Sequence, residues 1–114
     1  MSATVSGVGT LNLSASFTNS NGVTVLEGTS NTCTIMIYLQ LNGPATYLEF
    51  QSSGTYPYAT ITTSTVSGTC TTYANDGQLN ITTGSSSGLY NGTFSFTATG
   101  NSTITVTNGS FTNL

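Results

Sequence analysis

The chain contains no lysine, no arginine and no histidine, and its only acidic residues are Glu27, Glu49 and Asp76. Each absence removes a class of function. With no cationic side chain to neutralise phosphates, the sequence argues against nucleic acid as a partner. Without histidine, imidazole acid–base chemistry and His-ligated metals are excluded, and no cofactor or metal site is expected. No side-chain ion pair can form, so stability must come from burial, backbone hydrogen bonds and covalent links. Tryptophan is also missing, and proline occurs only at Pro44 and Pro57. No apolar run is long enough to span a membrane, so no membrane insertion is expected. No signal peptide is recognisable, which reads as a mature form or one whose leader has been removed.

What the chain does contain is serine and threonine, together about a third of its 114 residues, with 13 glycines. Threonine suits a pleated, half-buried surface, and glycine and asparagine supply tight turns. Apolar residues recur at period two, which separates this polar text from a disordered one. A net charge of −3 gives little repulsion, so solubility rests on hydroxyl and amide groups. Cys33 and Cys70 are the only cysteines. One pair in a small β domain suggests a disulfide and an oxidising compartment, the alternative being two buried free thiols. Such a bridge would be worth roughly 3–4 kcal/mol.

Residues 1–10 read as an extended N-terminal arm with Ala3, Val5 and Val8 as apolar anchors, able to join another sheet. From Leu11 onward the text reads as one domain, 11–114. Leu11, Leu13, Ala15 and Phe17 alternate with polar residues, and Asn21-Gly22 predicts a hairpin into Val23 and Val25. Cys33 to Leu41 is the most apolar stretch, with Cys33, Ile35, Ile37, Leu39 and Leu41 on one face and Met36 and Tyr38 on the other. It is expected at the centre of a sheet, with Thr46, Leu48 and Phe50 returning as a partner strand after Asn42-Gly43-Pro44. Strands are predicted at Tyr58–Thr62, through Cys70 to Tyr73, and at Gln78–Thr82, with a turn at Asn75-Asp76-Gly77. The clearest hairpin is Tyr90 to Phe111. In it Phe94, Phe96 and Ala98 face Ile104 and Val106 across Gly100-Asn101, and Asn108-Gly109 makes a turn or bulge that re-aims Phe111 to the core. About nine short strands and no helical period predict an antiparallel β-sandwich, with a small β-barrel as the alternative.

Gly54-Thr55-Tyr56, Gly92 to Thr99 and Ile104 to Phe111 resemble a Bacteroidota family of secreted or lipoprotein β-domains of unknown function. The resemblance covers the second half of the chain and implies a β-rich fold at the cell surface or outside the cell. It brings no catalytic residues.

Candidate sites are few. Glu27 and Glu49 are the only couple that could act as a glycosidase pair, and nothing in the text places them together. Asn75-Asp76 supplies only the start of a calcium site. Tyr56 and Tyr58 suggest a stacking surface for glycans. Thr60 with Thr62, and Thr103 with Thr105 and Thr107, hint at an ice-binding ladder, which would need the row repeated in register on adjacent strands. Asn12, Asn80, Asn91, Asn101 and Asn108 open N-glycosylation triplets, several of which chance alone supplies in such a text.

Soluble β proteins guard their sheet edges with lysine, proline or inward-pointing charge, and this chain has almost none of these. The expected function is therefore a non-enzymatic extracellular structural protein, a subunit of a surface filament assembled from its own copies by β-strand addition. The alternative is a monomeric cell-surface module that binds a glycan or protein ligand. One consequence is directly measurable. Trypsin, which cuts after lysine and arginine, leaves the urea-unfolded chain at full length on a gel.

Overall fold

Period-two alternation decides nearly every element of the computed structural model, which describes residues 1–40, 44–51, 55–65, 68–85, 88–99 and 102–114. Among these are ten strands: β1 (Ser2–Val5), β2 (Gly9–Asn12), β3 (Ser14–Ser20), β4 (Val23–Thr29), β5 (Cys33–Leu39), β6 (Ala45–Glu49), β7 (Tyr58–Thr65), β8 (Gly68–Ser85), β9 (Gly88–Thr99) and β10 (Thr103–Phe111). All pairings are antiparallel. The fold is a β-sandwich of a six-stranded and a four-stranded sheet, not closed into a barrel. The six-stranded layer runs β2-β1-β10-β9-β8 with β6 on the far side of β8, and the four-stranded layer runs β3-β4-β5-β7.

The layers are joined through β8. Its first half pairs with β7, from Thr65↔Gly68 to Thr60↔Tyr73, and its second half pairs with β6. β6 therefore does not return beside β5 as expected, because β4 and β7 already occupy both sides of β5. On its other side β9 follows it from Tyr73↔Thr99 to Ser85↔Gly88. The predicted turn at Asn75-Asp76-Gly77 does not form. The register slips between Ala74 and Asp76, and Gly77 takes φ +140°, so the chain bends through a bulge and continues as one strand. Glycine is required there, because a Cβ would strike the Ser95 carbonyl oxygen and lie 2.5 Å from Phe96 Cα.

The opposite flank is formed by β2 and β3. The predicted strand from Leu11 to Phe17 breaks at buried Leu13, where the chain crosses from one layer to the other. Leu13 N–H donates to the Met1 carbonyl at 2.8 Å, and the Met1 side chain packs over Gly28. Asn21 and Gly22, at φ 53° and 80°, make the expected hairpin turn between β3 and β4. Asn42-Gly43 and Gly100-Asn101 lie outside the described residues.

Between the layers sit Leu26, Ile35, Ile37, Leu39, Ile61, Leu79, Ile81 and Val106, with Phe94, Phe96 and Phe111. Phe94 lies 6.2 Å from Phe96 and 6.1 Å from Phe111, centroid to centroid, and Phe50 meets Phe96 edge-on at 5.6 Å. Phe17 of β3 meets Tyr90 of β9 at 5.7 Å, a contact across the two layers. Asn108, at φ 51°, forms the bulge that lets Phe111 point inward. In β4 the inward face is Thr24, Leu26 and Gly28, leaving Val23, Val25 and Glu27 outside. Leu26 sets this choice by standing opposite both Phe17 and Ile37. Buried Thr24 is satisfied by Asn19, whose Nδ2 donates to its Oγ1 at 2.7 Å.

Two glycines separate packing from backbone conformation. Gly77→Ala combines left-handed strain of about 1–3 kcal/mol with a steric conflict of about 1–3 kcal/mol. Gly22 (φ +80°) has nothing within 4 Å of an added Cβ. Gly22→Ala therefore loses only the conformational part, about 1–2 kcal/mol. Urea unfolding of the two variants should show Gly77→Ala as the more destabilised.

Candidate functional surfaces

The arm anticipated at residues 1–10 is not extended from the domain in the single chain. It forms β1 and the start of β2, and β1 lies inside the sheet between β10 and β2. Ala3 and Val5 are each 1 % exposed and belong to the core, whereas Val8 is 42 % exposed on the connecting turn. Outside-facing hydroxyls tie the strand to both neighbours. Ser2 Oγ meets Ser110 Oγ at 2.9 Å, and Thr4 Oγ1 meets Thr10 Oγ1 at 3.1 Å.

The expected Cys33–Cys70 disulfide is not formed; Cys33 is a free, buried thiol. The register gives the reason. Cys33 stands opposite Thr63 on β7, and Thr63 stands opposite Cys70 on β8. Two strand spacings put the cysteine backbones about 9–10 Å apart. A disulfide needs Cα atoms within about 4.4–6.8 Å. Burial pushes the Cys33 thiol up to about 11 from an ordinary 9.0.

Tyr56 and Tyr58 are joined by a third ring that sequence reasoning did not place with them. Tyr38 on β5 lies directly opposite Tyr58 on β7. Their rings stack at 4.3 Å and 9°, and Tyr56 leans on Tyr58 at 5.5 Å and 41°. The Tyr38 hydroxyl donates to Met36 Sδ at 3.4 Å. The cluster stands on the outer face of the four-stranded sheet, in the same row as Val25. Tyr58 thus spends its ring on two other tyrosines, which weakens it as a sugar platform.

Glu27 lies on β4 and Glu49 on β6, in different layers, so the structure does not bring the two carboxylates together. Among the described residues no three His, Cys, Asp or Glu side chains are grouped to hold a metal. Threonines do align across strands: Thr29, Thr34, Thr62 and Thr71 share one row. The next row holds Glu27, Met36 and Thr60 in place of hydroxyls throughout, so no two-dimensional hydroxyl lattice results.

The remaining feature is an edge. β3 pairs with β4 along all seven of its residues without a bulge, from Ser14↔Thr29 to Ser20↔Val23. Among the described residues no strand pairs with its other side. Its sequence, SASFTNS, carries neither charge nor proline. Sequence composition pointed to undefended edges in general; the strand order leaves β2, β3 and β6 each with one open side, and β3 is the longest of the three.

Residues 9–114 match the family described as a domain of unknown function (DUF6252), and the chain belongs to that family. The match begins after β1. No curated protein and no solved structure matches the chain.

The Cys33 thiol makes stability depend on pH. The folded state holds its proton to a higher pH than the unfolded chain, so the contribution is intact below pH 9 and is lost as pH rises from about 9 to 11. The urea midpoint should fall across that window, and the fall should be smaller in Cys33→Ala, which lacks the buried thiol. Native Cys33 should also resist a thiol reagent at pH 8 and react on unfolding.

Proposed function

We propose that this DUF6252 member is a non-enzymatic structural protein of the cell surface or extracellular space, whose copies join by β-strand addition to build a filament. The observation that carries the reading is the β3 edge: seven regularly paired residues with no charge, proline or bulge to repel a neighbouring strand. The composition and the resemblance to secreted Bacteroidota domains support the location. The chain's lack of histidine, lysine and arginine, and the separation of Glu27 from Glu49, support a role without catalysis.

Magnitudes show what such an edge can do. An antiparallel pair makes about one interstrand hydrogen bond per residue, each worth about 0.5–1.5 kcal/mol net. Association costs about 4–15 kcal/mol before any contact is made. Pairing at β3 alone is therefore close to break-even, and a durable filament needs a second tie between copies.

A second reading, a monomeric module that binds a surface glycan or protein, draws on the Tyr38–Tyr58–Tyr56 cluster. A glycan array probed with the parent chain and with Tyr56→Ala/Tyr58→Ala distinguishes it. Binding that is lost with the rings would support this reading, and no binding by the parent would end it.

The assembly reading is tested by light scattering and electron microscopy of the purified chain at rising concentration. Elongated particles are expected. Thr18→Lys, an exposed change on the β3 edge, should reduce them sharply while leaving the circular dichroism spectrum unchanged. A parent chain that stays monomeric at the highest concentration reached would refute the reading.

A further inference from the structure

We propose that β1 is an exchangeable strand: in the assembled state, residues Ser2–Val5 of one copy occupy the slot between β10 and β2 of the next. The proposal rests on the assembly reading above and names the second tie that reading requires.

Three observations lead to it. First, β1 is an inner strand between β10 and β2, so its removal would leave a slot in the six-stranded layer. β1 fills that slot with Ala3 and Val5 turned inward, Val5 opposite Val106 and Ala3 opposite Leu11. An added strand that supplies alternate side chains to a preformed slot is a general mode of β recognition.

Second, the turn that returns β1 onto β2 is exposed and buries no side chain. Ser6, Gly7 and Val8 are exposed, and Gly7 and Gly9 take φ 78° and 108° with nothing within 4 Å of either Cβ position. The Val8 N–H donates to the Val5 carbonyl at 3.0 Å, and Ser6 is bonded to Thr105 through its N–H and its Oγ, each at 2.9 Å. Opening this turn lets residues 1–8 run on from β2 as an extended segment. The buried contacts of β1 are then remade in identical form on the next copy, the condition under which strand exchange has little cost.

Third, the slot and the undefended edge share a flank. β2 continues through Leu13 directly into β3, so only β2 separates the open edge from the strand to be exchanged. Val8, whose side chain is exposed on the closed turn, becomes part of the segment passing between copies.

The Ser2–Ser110 contact provides the test. Ser2→Cys/Ser110→Cys, made in a Cys33→Ala/Cys70→Ala background, reports which chain's β1 lies beside β10. Assembled particles are oxidised and run on a non-reducing gel. Exchange gives covalent dimers and longer ladders that collapse to monomer on reduction. Particles that contain only intrachain links would overturn the exchange while leaving assembly intact. Absence of particles from the parent chain at every concentration would remove the assembly reading and the exchange with it. In a companion measurement the dilute monomer is oxidised before concentration, which traps β1 on its own chain. Most assembled mass should then be lost and return with reductant, whereas undiminished assembly by the pre-oxidised chain would refute the proposal.

Discussion

The backbone ladder along β8 is the interaction on which the rest of the structure depends. Three strands share it, β7 and β6 in succession on one side and β9 throughout on the other. A chain with no cationic side chain cannot staple its layers with side-chain ion pairs. Cohesion between the sheets therefore comes from continuous strands that cross from one to the other, and from the apolar faces such crossings bring together. β8 bends through Gly77 on one flank, and the β2–β3 segment bends at Leu13 on the other. Between these corners the phenylalanines of β9 and β10 meet the isoleucines and leucines of β4, β5 and β7.

Uncharged surfaces follow from the same arrangement. Outward positions are filled largely by threonine, serine and asparagine, which keep the sheets hydrated without repelling a neighbouring strand. A sandwich protected by charge would lose that neutrality at its edges. Here the edge strand β3 presents unpaired backbone polar groups on its open side, with hydroxyl and amide side chains around them and no charge.

Much of the fold was legible because alternation is a local signal. The β9–β10 hairpin, the central place of β5 and the Asn21-Gly22 turn were each read from neighbouring residues, and the structure has them. Features set by distant pairing were not legible. Asn75-Asp76-Gly77 has the composition of a turn, but β9 runs alongside it and keeps the chain going forward. The inward choice in β4 depends on Phe17 and Ile37 across the sheet. The cysteines illustrate the same limit, since only the strand order reveals that Thr63 stands between them. Of the candidate surfaces, composition pointed to weakly defended edges and to Tyr56 and Tyr58. Identifying β3 as the longest open edge, and adding Tyr38 to the rings, required the three-dimensional register.

The stacked pair Tyr38 and Tyr58 has an optical consequence. The chain has no tryptophan, so its near-ultraviolet absorption comes mainly from its six tyrosines. Two of them stand 4.3 Å apart and 9° from parallel, close enough for their electronic transitions to couple. They sit opposite each other on β5 and β7, so the coupling exists only while those strands hold their register. The protein thus carries an unlabelled spectroscopic gauge of its own sheet, placed on the layer that ends in the open edge.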